Sequence, residues 1–327
     1  MARIEQADDE RSWGAAARLR SFGQAYGALL ALLVLLLYNI GFTANFLSAQ
    51  ALNVNLTQVA PIVIVATGMT LVIATGGIDL SVGSLMAIAG ALAPIIFLGP
   101  LPALLGIGLA IVVPIVVAGL FGLFNGVLVT AFRIQPIIAT LVLFIAGRGI
   151  GQVMTNGNLQ AFKNPGFQYI GLGRPLGIPF QVFLMLLIVA AAAWAMRATT
   201  FGRYVLATGG NESAARLAGV PVDRIKRGVY VISGLLAGLA GLIVIAINSS
   251  SDANQVGLNM ELDAIAATAV GGTPLTGGRA TITGTLVGAL IIQLIRFTLL
   301  AKGVPFAVAQ VINALIILVA VYIQRRS

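Results

Sequence analysis

Residues 68–90 read GMTLVIATGGIDLSVGSLMAIAG, an apolar stretch broken at its centre by a glycine pair and a single aspartate. Followed outward, it becomes two apolar runs, 51–75 and 82–99, each close to the roughly 20 residues that a helix needs to cross a hydrocarbon core. Glycine weakens a helix, so the pattern predicts two membrane helices with a break at Gly76–Gly77 and one ionisable group, Asp79, inside it. Further runs of this kind lie at 24–42, 102–131, 135–155, 178–196, 228–247, 281–300 and 305–323. Residues 261–273 (ELDAIAATAVGGT) are too few to cross and sit between polar stretches, which predicts a short broken or re-entrant helix. The expected fold class is all-α, a polytopic membrane protein of about ten segments.

Composition agrees with that reading. Of 327 residues, 59% are hydrophobic, a further 39 are glycine and 9% are charged, against about 25% charged in an average globular chain. Most of the surface therefore meets lipid rather than water. The chain has no cysteine and no histidine, which excludes thiol nucleophiles, disulfides, zinc clusters, Ser-His-Asp triads and His-ligated haem. Its formal charge of +9 would suit nucleic acid, but the 19 basic residues are scattered between apolar runs, so membrane topology explains them better and no nucleic-acid partner is expected.

Lys and Arg excess marks the cytoplasmic side. The densest cluster lies in residues 197–227, with Arg197, Arg203, Arg216, Arg224, Lys226 and Arg227 against Glu212 and Asp223. With that loop inside, ten segments place both termini inside, together with Arg133, Arg279, Arg325 and Arg326, and leave Lys163, Arg174 and Lys302 outside. The extended external segments are then 156–177 and 248–260 (NSSSDANQVGLNM), the second leading to Glu261 and Asp263.

Four glycine pairs have four-residue spacing: Gly122 and Gly126, Gly147 and Gly151, Gly234 and Gly238, Gly284 and Gly288. Such spacing lets helix backbones approach closely in lipid, and packing within one subunit is favoured over a dimer face. The pattern GGxxLxxG occurs at 76–83 and again at 271–278, either as an internal repeat with paired helix breaks or as coincidence in a glycine-rich chain.

Ionisable groups in a membrane are expensive and therefore suspect. Asp79 has two readings, a cap for the helix that follows or the ion-binding carboxylate of a secondary carrier, and capping is favoured. Arg148 lies inside the fifth run, Arg296 lies close enough to an outer end to snorkel, and Glu261 and Asp263 open the short segment. Asn125, Gln135, Thr140 and Gln293 add neutral polarity suited to hydrogen bonding a hydroxylated solute, although such residues more often bond helix to helix. The first three, with the ionisable groups Asp79, Arg148, Glu261 and Asp263, make up the candidate translocation path. In the cytoplasmic loop, Asn211 is placed to cap a short helix carrying Glu212, Ala214, Ala215 and Leu217, ended by Gly219 with Pro221 following.

Four long stretches, in order, carry a resemblance: 68–90, RIQPIIATLVLFIAGRGIGQV (133–153), ATGGNESAARLAGVPVDRIK (207–226) and MELDAIAATAVGGTPLTGGRATITGTLVGAL (260–290). They resemble the sugar permeases of bacterial ABC importers of the ribose, arabinose and galactofuranose type, and look closest to the galactofuranose branch. The resemblance implies a transmembrane permease unit over 24–323, with cytoplasmic tails at 1–23 and 324–327, in the bacterial inner membrane. It implies alternating access for a neutral sugar or polyol, a second permease copy or paralogue, a periplasmic sugar-binding protein and a cytoplasmic ATPase subunit that binds ATP and Mg. The loop 197–227 would couple to that ATPase through Arg203, Gly210, Asn211, Glu212, Ala214, Ala215, Leu217 and Gly219. Here Ser213 stands where many such permeases carry Glu. No lysine of this chain lies in a Gly-Lys-Ser/Thr context, so a Walker A loop is missing and no cofactor of its own is expected.

Overall fold

The computed structural model describes residues 27–100, 102–305, 307–312 and 314–315. The expected tails, the start of the first apolar run and the end of the last one lie outside the described residues. Among the described residues up to 301, twelve α-helices follow in chain order: α1 (Gly27–Phe42), α2 (Ala49–Ala74), α3 (Val82–Phe97), α4 (Ala103–Thr130), α5 (Pro136–Met154), α6 (Pro165–Leu172), α7 (Phe180–Ala198), α8 (Thr200–Gly210), α9 (Glu212–Leu217), α10 (Val222–Asn248), α11 (Met260–Val270) and α12 (Ile282–Ala301). The chain is helical again at 307–312. The one sheet among the described residues is an antiparallel pair of two-residue strands, β1 (Gln160–Ala161) and β2 (Ser250–Ser251). The chain is thus all-α and polytopic. Among the described residues six helices are long and apolar enough to cross a membrane, namely α2, α4, α5, α7, α10 and α12, and α1 and α3 are shorter apolar helices.

Helix α2 is the axis of the bundle. Ser48 caps it by accepting a hydrogen bond from the Ala51 amide at 3.1 Å, and from Val59 to Ala74 every residue is buried, packed by α7, α10, α11 and α12. Helices α4, α5 and α7 instead leave large apolar side chains such as Leu104, Leu120, Leu141 and Leu187 exposed. A surface of that kind suits hydrocarbon and not water.

All four glycine pairs are seams inside the chain. A Cβ added to Gly122 would lie 2.3 Å from the Tyr230 carbonyl oxygen, and one on Gly234 2.3 Å from that of Ala118, so α4 and α10 touch backbone to backbone. Gly147 and Gly151 face Ser84 and Ala87 of α3, and Gly284 and Gly288 face Gly271 and Ala267. With little hydrophobic drive between helices in lipid, this close approach is what holds them.

The segment 248–260 does not extend away from the bundle: Asn248, Asn254, Gln255 and Leu258 are exposed, but Ser251, Ala253 and Val256 are buried and the chain runs back along α3 and α5, with Ser251 near Gly90, Ala253 near Gly151 and Gly257 against Gly83. Helix α11, about 16 Å long at 1.5 Å per residue, begins at the end of that inward-turning segment. The GGxxLxxG copies are not conformational repeats either: Gly76 takes the left-handed conformation in the first copy, whereas Gly272, Gly277 and Gly278 take it in the second. The two breaks do meet, since the Gly278 amide donates to the Ala74 carbonyl at 3.0 Å.

Candidate functional site

After α2 ends, the chain turns back into the bundle. Asp79 accepts a hydrogen bond from Ser233 of α10 at 2.8 Å, and Ser233 packs against Gly68, six residues or about 9 Å before the end of α2. Asp79 is completely buried. One carboxylate oxygen accepts from the Ser81 amide at 3.1 Å and the Ser81 hydroxyl at 2.6 Å, while the other takes the Ser233 hydroxyl. The capping expectation is corrected in its detail. Ser81 is the N-cap of α3 and makes no side-chain cap bond, and Asp79 receives no amide from inside that helix. Its role is to tie the α2–α3 loop to α10.

Asn125 of α4 donates to the Ser81 hydroxyl oxygen at 2.9 Å. Thr140 of α5 accepts from the Leu80 amide at 3.1 Å and donates to the Pro136 carbonyl at 3.0 Å. The structure thus brings Asp79, Asn125 and Thr140 onto one loop. Gln135 is not brought there, because it is the exposed N-cap of α5 with no side-chain cap bond. Reading of the sequence missed Ser233 and Tyr230, whose phenol oxygen is buried without a partner. It also missed a buried threonine triad, in which the Thr70 hydroxyl lies 2.7 Å from that of Thr285 and 3.2 Å from that of Thr268. Each of these threonines also donates to a carbonyl of its own helix, which in a sequence is indistinguishable from ordinary back-bonding.

The Asp79 cluster yields a prediction. Asp79→Asn keeps an oxygen for both Ser81 donors and an amide for the Ser233 oxygen, so uptake should persist. Asp79→Leu strands three donors, each costing about 1–3 kcal/mol when buried, and should sharply lower the amount of folded protein and its thermal midpoint. Loss of uptake in Asp79→Asn at normal protein level would favour the ion-coupled carrier instead.

A second group surrounds the inward-turning segment. Arg148 donates through one nitrogen to the carbonyls of Ala253, Asn254 and Val256 at 2.8, 3.2 and 3.2 Å, so its charge is spent on backbone oxygens. Glu261 is buried, with one carboxylate oxygen unpaired and close to where a Gly83 Cβ would lie. Asp263 instead turns to α12 and accepts both its hydrogen bonds from Arg296, at 2.7 and 2.8 Å. The snorkelling expectation for Arg296 is therefore corrected: it is mostly buried and ion-paired.

The loop 197–227 holds two short helices. Gly209 and Gly210 end α8, and Gly209 is pressed onto the helix breaks, with an added Cβ falling 1.9 Å from the Ala74 carbonyl oxygen and 2.6 Å from the Gly278 amide nitrogen. Asn211 then caps α9 by accepting from the Ala214 amide at 2.9 Å. The end of α9 is closed by the Gly219 amide on the Arg216 carbonyl and the Val220 amide on the Ala215 carbonyl, with Gly219 at φ 82°, as in a Schellman motif. Ala215 is buried, whereas Ala214 is exposed and Leu217 is 91% exposed. The expectation that Ala215 is presented to a partner is corrected, since it faces the body of its own chain. Arg203 is exposed.

Glu212 ties α9 to α10 by accepting from Lys226, and Arg216 donates to Glu212 and Asp223. Burial pushes the Glu212 carboxyl up, but the hydrogen bonds from Lys226 and Arg216 outweigh it and hold the group below its ordinary value. Bonds from the same arginine to Asp223 and Glu212 raise the Arg216 guanidinium above its own. The pairs are half exposed, so they orient α9 more than they stabilise it.

The described chain is thus a bundle of apolar helices with buried hydroxyl clusters and an exposed, capped helix between α7 and α10. The chain belongs to a family described as the permease component of the branched-chain amino acid transport system, whose model matches residues 51–321. It is 42% identical over 304 residues to the ribose import permease protein of Escherichia coli K12, covering 92% of this chain and 93% of the relative. It is 42% identical over 273 residues to the galactofuranose transporter permease protein of the same strain, covering 82% and 78%. With the L-arabinose ABC transporter permease protein of Azospirillum brasilense it shares 35% identity over 277 residues, 85% and 80% of the two chains. No solved structure matches the chain significantly.

Proposed function

We propose that this chain is the membrane-spanning subunit of an ATP-driven importer that moves a neutral sugar or polyol by alternating access. The observation that carries the reading is the likeness, over nine-tenths of the chain, to a relative named for ribose import. A neutral cargo fits an interior in which Arg148 is held by carbonyls and Asp263 by Arg296, with one oxygen of the buried Glu261 left unpaired. In this reading the transmembrane unit runs over 24–323 with ten segments, α11 being the re-entrant one, in the bacterial inner membrane with both tails cytoplasmic. ATP and Mg belong to a cytoplasmic ATPase subunit, a periplasmic sugar-binding protein delivers the cargo, and a second permease copy or paralogue completes the pore. The segment Arg203 to Gly219 is the coupling element.

Within that element the exposed face of α9, centred on Leu217, docks on the ATPase. Leu217→Asp removes no contact of the folded chain, so the substitution should change its stability by no more than about 0.5 kcal/mol. It should nevertheless prevent co-purification of the ATPase subunit and abolish sugar-stimulated ATP hydrolysis in reconstituted membranes. Unchanged co-purification and hydrolysis would show that α9 is only a surface turn.

A further inference from the structure

At the end of the bundle opposite α9, polar groups gather around the start of α2 with their hydrogen bonding incomplete. Gln58 is the last exposed residue of α2 before the buried stretch begins at Val59. A carboxamide loses its hydrogen bonds to water when it faces hydrocarbon, and part of what Gln58 loses is made good by a neighbour. Its oxygen accepts from the amide nitrogen of Gln293 of α12 at 2.7 Å, and Gln293 is 2% exposed with its own oxygen unpaired.

Gln181, in the first turn of α7, is fully buried with both its amide nitrogen and its oxygen unpaired. Helix α7 packs against both α2 and α12. Its first turn lies at the height of Thr57: the Phe180 amide donates to the Gly173 carbonyl at 3.0 Å, and the neighbouring Arg174 reaches the Thr57 hydroxyl at 3.4 Å. Within α2, Pro61 lacks an N–H, which leaves the Thr57 carbonyl without its helical donor. Asn55, just above, has an unpaired buried oxygen. Buried polar groups are nearly always paired, and a cluster of exceptions at one end of the central helix needs an explanation.

We propose that the carboxamides of Gln58 in α2, Gln181 in the first turn of α7 and Gln293 in α12 form the subsite that receives the hydroxyl groups of an uncharged sugar or polyol on entry. The subsite rests on the proposed importer reading, which makes this end the outer one. A carboxamide both donates and accepts, as a hydroxyl does, so a row of them matches a polyhydroxylated solute in any hydroxyl orientation. In the charged pair one turn from Gln293, both Asp263 oxygens accept from one nitrogen of Arg296, whose Nε is buried without a partner, so the arginine's charge is already matched by a carboxylate and a further N–H is left to bond a hydroxyl.

Gln181→Met separates a binding role from a structural one. Since neither amide atom of Gln181 has a protein partner, an apolar side chain of similar size removes a desolvation penalty without breaking a bond, and the variant should be as thermally stable as the parent or more so. Its maximal uptake should fall about tenfold, the size expected for lost hydrogen bonds to an uncharged group. The experiment uses the complete importer with its ATPase and binding protein, fed with radiolabelled ribose, galactofuranose and L-arabinose at saturating binding protein. Gln181→Asn, which keeps a shorter carboxamide, should recover part of the uptake.

Gln181→Met uptake within twofold of the parent overturns the subsite and leaves the importer reading standing. A fall in uptake that tracks a lower thermal midpoint also overturns it, because the side chain is then structural. A parent importer that carries none of the sugars overturns the cargo assignment and the subsite together.

Discussion

Gly209→Ala should abolish uptake while Gly210→Ala, one residue away, leaves it intact. The added methyl of Gly209→Ala would fall 1.9 Å from the Ala74 carbonyl oxygen and 2.6 Å from the Gly278 amide nitrogen, the region where the Gly278–Ala74 hydrogen bond joins the two glycine breaks. Neither neighbour is the flexible end of a side chain, so relief requires α8 to lift off or the break to open. Overfilling a packed site typically costs about 1–3 kcal/mol, and here it falls on the contact through which the end of α8 meets the end of α2 and the loop between α11 and α12. A Cβ on Gly210 meets nothing within 4 Å, and a substitution of that kind usually stays within about 0.5 kcal/mol. The pair is checked by sugar uptake and by the thermal midpoint of the purified chain. Equal uptake by both variants would show that the seam between α8 and the breaks yields freely.

How far this arrangement was legible differs from one feature to the next. The apolar runs and the all-α class follow from length and composition, because a bilayer imposes both. The glycine breaks were also legible as places where helices stop, since glycine acts locally. Where the chain goes after a break is not a local property. Asp79 reads in the sequence as a cap because its neighbours are Ser81 and an apolar run, and besides Ser81 it is bonded by Ser233, 154 residues away.

The same distinction explains the loop and the inward-turning segment. Asn211 and Gly219 announce the ends of α9, because capping and the left-handed turn are encoded in single residues. Which face of α9 is turned out is decided by α10, so Ala215 and Leu217 look interchangeable until the packing is known. Residues 248–260 look like a free polar stretch, and nothing local in them announces that three of their carbonyls are bonded by Arg148, more than a hundred residues away in sequence. Irregular backbone is tolerated at membrane depth when protein buries it and completes its hydrogen bonds, and a hydropathy scan cannot register that compensation.

Gly257→Ala tests the same segment directly and should be more damaging than its local conformation alone implies. Gly257 has φ 70° and Gly157 has φ 69°, so alanine meets nearly the same left-handed backbone at both positions, at about 1–2 kcal/mol. The surroundings differ. A Cβ on Gly157 meets nothing within 4 Å, whereas one on Gly257 would lie 2.3 Å from the Gly83 carbonyl oxygen, and Gly83 in turn faces the Gly257 carbonyl and the Glu261 carboxylate. The crossing therefore has no side chain that can swing aside, and the backbone of either α3 or the inward-turning segment must retreat. Retreat of the segment would pull its carbonyls from Arg148 and leave that cation unpaired in the bundle, which is strongly destabilising. Gly157→Ala should lower the thermal midpoint by a few degrees and preserve uptake. Gly257→Ala should reduce the yield of monodisperse protein several-fold, with no measurable uptake. If the two variants melt together, close approach adds nothing to conformation here, and the segment is more loosely seated against α3 than its packing indicates.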